Sequence, residues 1–350
     1  MLLGRRAALA LLTAVALVAL GCGSAESTAT SAEAAGKPKV YPIPKPQMPS
    51  ASEGCEAGTT ENGVTTIPIK VAKVRQLVEP VVNMCFDGKG PYPMLIDTGA
   101  SASVISISLA KELGLKKVGT PSTAEGAGCT TKTQSFELPS WSLGGLDLEP
   151  AVITAVQAPE KGKGYARGSL GADVLSRFGA ARLDFKRETL TLAGEEGPSF
   201  TGSKKAAKTP GALLKGRPKF TIPMQVQSEI AGLEVIQTVK VGVGQTKPLP
   251  WLIDTGAAFS FVDAGLVAKA KLRATGTAQK GSTYCSIITV TEYKANSLPL
   301  SSGKLRAQTV GSQKGLRKAG VGGILGSYAL WQFGSVVFDW GGGKLLLGAG

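Results

Sequence analysis

The hexapeptide Leu-Ile-Asp-Thr-Gly-Ala occurs twice in this chain, at residues 95–100 and again at residues 252–257. Each copy ends an apolar run on an acid, and a carboxylate is costly to bury without a compensating partner. One such turn could simply close a strand. Two of them, 157 residues apart in a chain of 350, imply that each half presents a like carboxylate at a like place.

The surrounding text repeats in the same order. "TIPIKV" at 66–71 answers "TIPMQV" at 221–226. After each acid comes a segment with a helix N-cap, Ser106 before "ISLAKELGL" and Asp263 before "AGLVAKAKL". The alternating runs "QSFELPSWSL" and "IITVTEYKA" read as strands. "LGADVLSRFG" at 170–179 and "LGSYALWQFG" at 325–334 share the pattern L-G-x-x-x-L-x-x-F-G. "RLDFKRETLTL" then matches "VFDWGGGKLLL", which sets Asp184 against Asp339 in turn or strand-end positions. Two copies this long point to an internal duplication, not a many-repeat solenoid. Each half reads as short strands with two brief helices, and the 46 glycines and 6% aromatics suit strands and tight turns.

The length fits about two domains, and composition shifts divide the chain further. Residues 1–22 form a targeting segment, 23–62 a Pro-, Ser- and Ala-rich tether, 63–194 the first half, 195–217 a linker and 218–350 the second half. In the first segment, Arg5 and Arg6 precede an apolar run from Ala7 to Leu20, too short to span a bilayer comfortably. Its end, "VALGC", resembles the lipobox of bacterial lipoproteins, which implies acylation of Cys22. Ala19 and Gly21 also suit ordinary cleavage just before Cys22. Either way the chain is expected outside the cytoplasmic membrane, anchored on its outer face or released. Cys55, Cys85, Cys129 and Cys285 are then candidates for two disulfides.

Several function classes are excluded early. The chain has no histidine, so a Ser-His-Asp triad, a Cys-His pair and His-containing zinc sites are absent. No cysteine spacing suits a four-cysteine zinc site, and no metal or cofactor is expected. The net charge of +14, or +12 once Arg5 and Arg6 are lost, is scattered and without aromatic–basic interleaving, so no nucleic-acid partner is expected. "GVGQT" is too short, and lacks the Lys, for a phosphate loop. Trp141, Trp251, Trp331 and Trp340 read as core.

Apolar-apolar-Asp-Thr-Gly, followed about seventy residues on by Leu-Gly and a short helix, is similar to the aspartic proteases, most closely bacterial retropepsin-like aspartyl proteases, with two copies in one chain. The resemblance implies a mainly β fold, with two pseudo-twofold-related acid-protease lobes and a cleft between them. It implies an exported aspartic endopeptidase acting on polypeptides as a monomer. Asp97 and Asp254 would share one proton and activate a water. By the same resemblance Thr98 and Thr255 lock the two loops through crossed hydroxyl hydrogen bonds. Gly99 and Gly256 let backbone N–H groups approach the carboxylates, and Gly171 and Gly326 pack against the same loops. Both copies carry Ala after the Gly, as retroviral enzymes do, which implies activity at milder acidity than pepsin's.

The family's flaps fall on "EGAGCTT" and "KGSTYCSI", giving Gly126, Gly128, Cys129, Tyr284 and Cys285 as flap candidates. Equivalent flaps meeting near a pseudo-twofold axis lead to the hypothesis of a Cys129–Cys285 bridge with Cys55 paired to Cys85. Separate buried thiols or other pairings remain the alternative. The competing functional reading is a catalytically inactive protein holding peptide or envelope polymer in the same cleft. A third is a structural envelope protein that uses the fold only as a body.

Overall fold

In the computed structural model, residues 38–42, 54–126, 129–157, 166–193, 213, 217–227, 235–283 and 286–348 are described. The fold is mainly β. Its strands form an eleven-stranded sheet, made of second-half strands and Lys39–Tyr41, and a sixteen-stranded sheet that runs through the first half into the second.

The link between the halves is a floor of seven strands. At its centre Ala180–Asp184 pairs antiparallel with Ser335–Asp339, Ala180 opposite Asp339 and Asp184 opposite Ser335. Thr189–Ala193 and Lys344–Leu347 flank this pair, Val64–Pro68 and Phe220–Pro223 lie beyond them, and Thr59–Glu61 edges the first-half side. Leu213, from the expected linker, is buried against Ala180, Ala193, Val337 and Leu346 of this floor. Asp184 and Asp339 serve its turns. Asp184 accepts from the Lys186 and Arg187 N–H groups and pairs with Arg182 at 2.8 Å, while Asp339 accepts from Gly342 N–H at 2.7 Å.

Above the floor each half threads its acid loop in the same way. Lys89–Ile96 runs into Asp97 and pairs in parallel with Gly168–Leu170, which also pairs antiparallel with the outgoing Val104–Ser106. Leu249–Asp254 and the outgoing Phe261–Asp263 share Gly323–Gly326 likewise. One strand therefore grips both ends of each loop. Packed beneath are large apolar side chains, with Trp251, Trp340, Phe86 and Phe338 at 2% exposure or less. Trp141 is buried too, while Trp331 is only partly so and carries the Lys73 ammonium over its ring at 4.6 Å.

Helix Ile107–Leu113 is capped by the Ser106 hydroxyl, which accepts from Leu109 N–H at 3.1 Å. Its counterpart is shorter than the pattern predicts, covering only Ala264–Val267. Asp263 does cap it, through Gly265 N–H at 3.0 Å. A glycine in so short a helix weakens it by about 1 kcal/mol relative to alanine, and the chain leaves the helical path at Lys271, φ +52°.

Two long hairpins stand over the halves, Lys117–Gly126 with Cys129–Leu138 and Arg273–Ser282 with Ile287–Ala295. Both bulge at a glycine of positive φ, Gly119 at +66° and Gly276 at +74°, again 157 residues apart. A side chain would meet nothing at either place, so the backbone conformation alone calls for glycine.

The expected tether is not bare over its described part. Lys39–Tyr41 adds a parallel strand to Thr277–Gln279 on the second hairpin, and Gln279 Nε2 donates to the Pro42 carbonyl at 2.8 Å. Arg75, at the turn of the first-half hairpin Val64–Phe86, lies 3.4 Å over the Tyr41 ring. Thr59–Glu61 pairs with Val64–Thr66, and Cys55 is disulfide-bonded to Cys85. Sequence composition missed this because each strand is only three residues long and exposed.

Candidate active site

The two loops meet at the seam between the halves, tied by reciprocal threonine contacts. Thr98 N–H donates to the Thr255 hydroxyl at 3.0 Å, and Thr255 N–H donates to the Thr98 hydroxyl at 3.1 Å. Each hydroxyl passes its own hydrogen onward, Thr98 to the Ile253 carbonyl at 3.0 Å and Thr255 to the Ile96 carbonyl at 2.7 Å. Both threonines are essentially unexposed. Hydrogen bonds in such a setting are expensive to leave unmade, about 1–3 kcal/mol for each stranded partner, so the loops are fixed to each other as well as to their own halves.

Asp97 and Asp254 face one another across this grip. Asp97 Oδ1 accepts from Gly99 N–H at 3.1 Å and Ala100 N–H at 3.0 Å. Asp254 Oδ1 accepts from Gly256 N–H at 2.8 Å and Ala257 N–H at 2.9 Å. The glycines have a further task that the sequence reading did not foresee. A Cβ on Gly99 would lie 2.2 Å from the Asp254 carboxyl carbon, and one on Gly256 would lie 2.4 Å from that of Asp97. Each glycine thus makes room chiefly for the carboxylate of the opposite loop.

Burial, then the charge of Asp97 and the hydrogen bond between the two carboxyls, push Asp254 well above the usual carboxylate range. The N–H groups of Ala257 and Gly256 pull the other way and are outweighed. The pair therefore holds a proton to higher pH than a free acid would.

Gly171 and Gly326 press on the backs of the loops. Their Cβ positions would fall 2.9 Å from the Ala100 carbonyl and 2.7 Å from the Ala257 carbonyl. Gly171 N–H donates to the Ser103 hydroxyl at 2.9 Å, and Gly326 N–H to the Ser260 hydroxyl at 3.2 Å.

Two residues in this assembly escaped the sequence reading. Asp173 accepts from the Ser103 hydroxyl at 2.8 Å. Burial raises its carboxyl above the usual range, against bonds from Ser103 and the charge of Arg177. An acid in the first turn of the helix Ala172–Leu175 reads as ordinary N-terminal charge, so nothing in the sequence signalled this contact. Gln237 is fully buried and donates to the Thr98 carbonyl. A single amide in the strand-like "VIQTVKV" carries no such signal.

The remaining candidates lie at the hairpins or outside the described residues. Gly126 and Cys129 form the last backbone pair of the first hairpin. Gly128, Tyr284, Cys285 and the Cys129 side chain are outside the described part, and so is the expected Cys129–Cys285 bridge. Cys22 and the targeting segment are outside it too. Among the described residues no group of three or more His, Cys, Asp or Glu could hold a metal, and no helix is long and apolar enough to cross a membrane.

Residues 82–174 match the family described as aspartyl protease, a span that contains Asp97 and Gly171 and stops short of the second copy. The first half thus carries an aspartyl-protease segment. No curated protein matches the chain in sequence. Among solved structures it is similar to conglutin gamma, a basic 7S globulin from lupine seeds, at 12% identity and a TM-score of 0.45 over 81% of this chain and 94% of the other. It is also similar to basic 7S globulin from soybean, at 10% identity and 0.47 over 82% and 96%. Likenesses at these scores bear on nothing chemical.

Proposed function

We propose that this chain is an aspartic endopeptidase whose nucleophile is a water activated between Asp97 and Asp254. The observation that carries the reading is the reciprocal fit of the two carboxylates against the opposite loop's glycine, where burial and the charge of Asp97 raise Asp254 so that the pair would share one proton. The ionised carboxyl takes a proton from the water as its oxygen bonds to the scissile carbonyl carbon. The protonated carboxyl gives its hydrogen to the carbonyl oxygen, forming a neutral tetrahedral diol. When the diol collapses, the C–N bond breaks, the nitrogen takes a proton and the carboxyls return to one shared proton. With Ala100 and Ala257 following the glycines, neither loop offers a hydroxyl there to stabilise the ionised form, so the working range lies at milder acidity than pepsin's.

The polypeptide substrate would lie across the seam under the two hairpins. Because one chain supplies both carboxylates, a monomer suffices, and gel filtration tests this. The sequence of residues 1–22 supports an exported protein anchored through lipidated Cys22, on the outer face of the cytoplasmic membrane, or else released.

The test is cleavage. Protein beginning at Ser24, with disulfides allowed to form, is incubated with an unbiased peptide mixture from acid to neutral pH, and new termini are read by mass spectrometry. Asp97→Asn and Asp254→Asn should each lower the rate by about 10²–10⁴-fold, the usual worth of a positioned acid or base. If parent and variants behave alike at every pH, the cleft is a binding site for peptide or envelope polymer and the peptidase reading falls.

A further inference from the structure

The repeat spells the two acid loops alike, yet one buried side chain treats them differently. Gln237 lies on the second-half strand Ile236–Val241 at 0% exposure, and its carboxamide is engaged at both ends. Nε2 donates to the Thr98 carbonyl of the opposite loop and to the Ile253 carbonyl at 3.2 Å, one residue before Asp254. Oε1 accepts from the Trp340 indole N–H at 3.1 Å. Both amide hydrogens and the amide oxygen thus have partners.

The first half has no counterpart. The register that sets Thr238 opposite Leu252 sets Val81 opposite Leu95, so the position matching Gln237 is Pro80, which has no side-chain donor. Among the described residues, only the Asp97 loop has its carbonyl held from the other half by a side-chain amide. The Ile253 carbonyl, which also receives the Thr98 hydroxyl, is the shared anchor.

We infer that Gln237 is a positioning residue: its amide fixes the Thr98 carbonyl, and through it the seat of Asp97, relative to Asp254. The kinetic part of this inference rests on the peptidase reading above, while the structural part does not. Misplacing a reacting group by about 1 Å can cost on the order of 10²-fold in rate, so a brace one bond from the acid loop bears on turnover rather than on substrate affinity.

The test compares Gln237→Leu, Gln237→Glu and a control, Val239→Ala, which opens the same buried strand opposite Trp251, three residues before Asp254. Gln237→Leu should lower kcat on a peptide substrate by about 10- to 100-fold with KM changed by less than about threefold. Val239→Ala should keep kcat even where its thermal midpoint falls as far. Gln237→Glu is the conservative variant. Ionised, it has no hydrogen for either carbonyl; protonated, it has one, so its kcat relative to the parent should recover toward acid pH while that of Gln237→Leu does not. The titratable groups on the loops it bridges are Asp97 and Asp254, and its third neighbour, Trp340, does not titrate.

Amide exchange at Thr98 and Thr255 separates this inference from the peptidase reading. Both N–H groups should exchange faster in Gln237→Leu than in the parent or Val239→Ala, whether or not the parent cleaves peptides. Unchanged exchange, or equal kcat losses in Gln237→Leu and Val239→Ala, overturns the inference. Faster exchange in a protein that never cleaves leaves the brace standing and removes the peptidase reading alone.

Discussion

The loops at Asp97 and Asp254 share six letters and a backbone path, but their supports differ. Behind the first, Ser103 donates to a carboxyl, Asp173, at 2.8 Å. Behind the second, Ser260 reaches a neutral amide, Gln308, at 3.5 Å. The second loop gains a different bond, from the Ser327 hydroxyl to the Thr255 carbonyl at 2.7 Å, where the first half has Ala172 and no hydroxyl. Asp97 is 7% exposed, while Asp254 is more open. What stays symmetrical is the set of contacts in which the loops touch each other. What differs is how each half holds its own loop. A pair of carboxylates constrains the geometry between its members and leaves each half free to reach it by other means.

The hairpins differ in the same manner. The second is tied to the rest of the chain by Lys39–Tyr41 along its edge and by the Arg75 guanidinium, 3.9 Å from the Glu292 carboxylate. On the neighbouring strand, Thr309 N–H donates to the Gln76 side-chain carbonyl at 2.8 Å.

The largest difference in stability between the halves should come from the Cys55–Cys85 disulfide, which ties the expected tether to the first half and spans 30 residues. Cross-links of that span contribute about 3–4 kcal/mol by restricting the unfolded chain. The double variant Cys55→Ser/Cys85→Ser should lose that much in urea unfolding, with faster amide exchange confined to residues 54–193. Faster exchange spread evenly over both halves would mean that the floor makes them one cooperative unit.

A smaller effect tests the symmetry of the seam. Gly99→Ala and Gly256→Ala each force a methyl against the opposite carboxylate, and overpacking of this kind costs about 1–3 kcal/mol. Gly256→Ala should be the worse of the two, because it meets the deeper Asp97, and both should depress cleavage. Equal losses in urea unfolding would show that the burial difference is without consequence.

The gentlest test is a change of slope with pH. Asp254 has a carboxyl raised in the folded protein, so its protonated form adds stability that is fully present below the ordinary carboxylate range. That stability is lost as pH rises through the raised folded value. Asp254→Asn should therefore match the parent in acid and exceed its thermal midpoint near neutrality. Asp184 shows the opposite sign. Its burial is outweighed by bonds from Arg187 and the charges of Arg182 and Arg187, which hold it low, so its stabilisation is present above the ordinary range and lost as pH falls through the lowered value. An Asp254→Asn midpoint that never rises above the parent's would remove the case for a strained pair.

Much of the molecule was legible in the sequence because its signals are local and repeated. The Ser106 cap, the strand alternation of Ile287–Ala295 and the glycines after each acid follow from backbone chemistry within a few residues. The short second helix was misjudged because Leu266 and Ala270 keep an i,i+4 spacing that Gly265 and the turn at Lys271 cut short. Lys39–Tyr41 was missed because a three-residue strand has no period of its own and owes its existence to the edge it joins. Asp173 and Gln237 differ in kind. Their partners lie about 70 and 139 residues away, and no local pattern reports such contacts.

By itself the sequence determined that two like acids would be presented on two like turns, in mainly β halves without histidine chemistry. Those properties reside in residue type and short-range spacing, and they survive whatever the halves do next. Only the tertiary structure decided that the acids share a seam, that each glycine clears space for the opposite carboxylate, and that one loop is braced by a carboxyl and a borrowed amide. These are consequences of two surfaces meeting, where distances of 2–4 Å are set by packing between residues far apart in the chain.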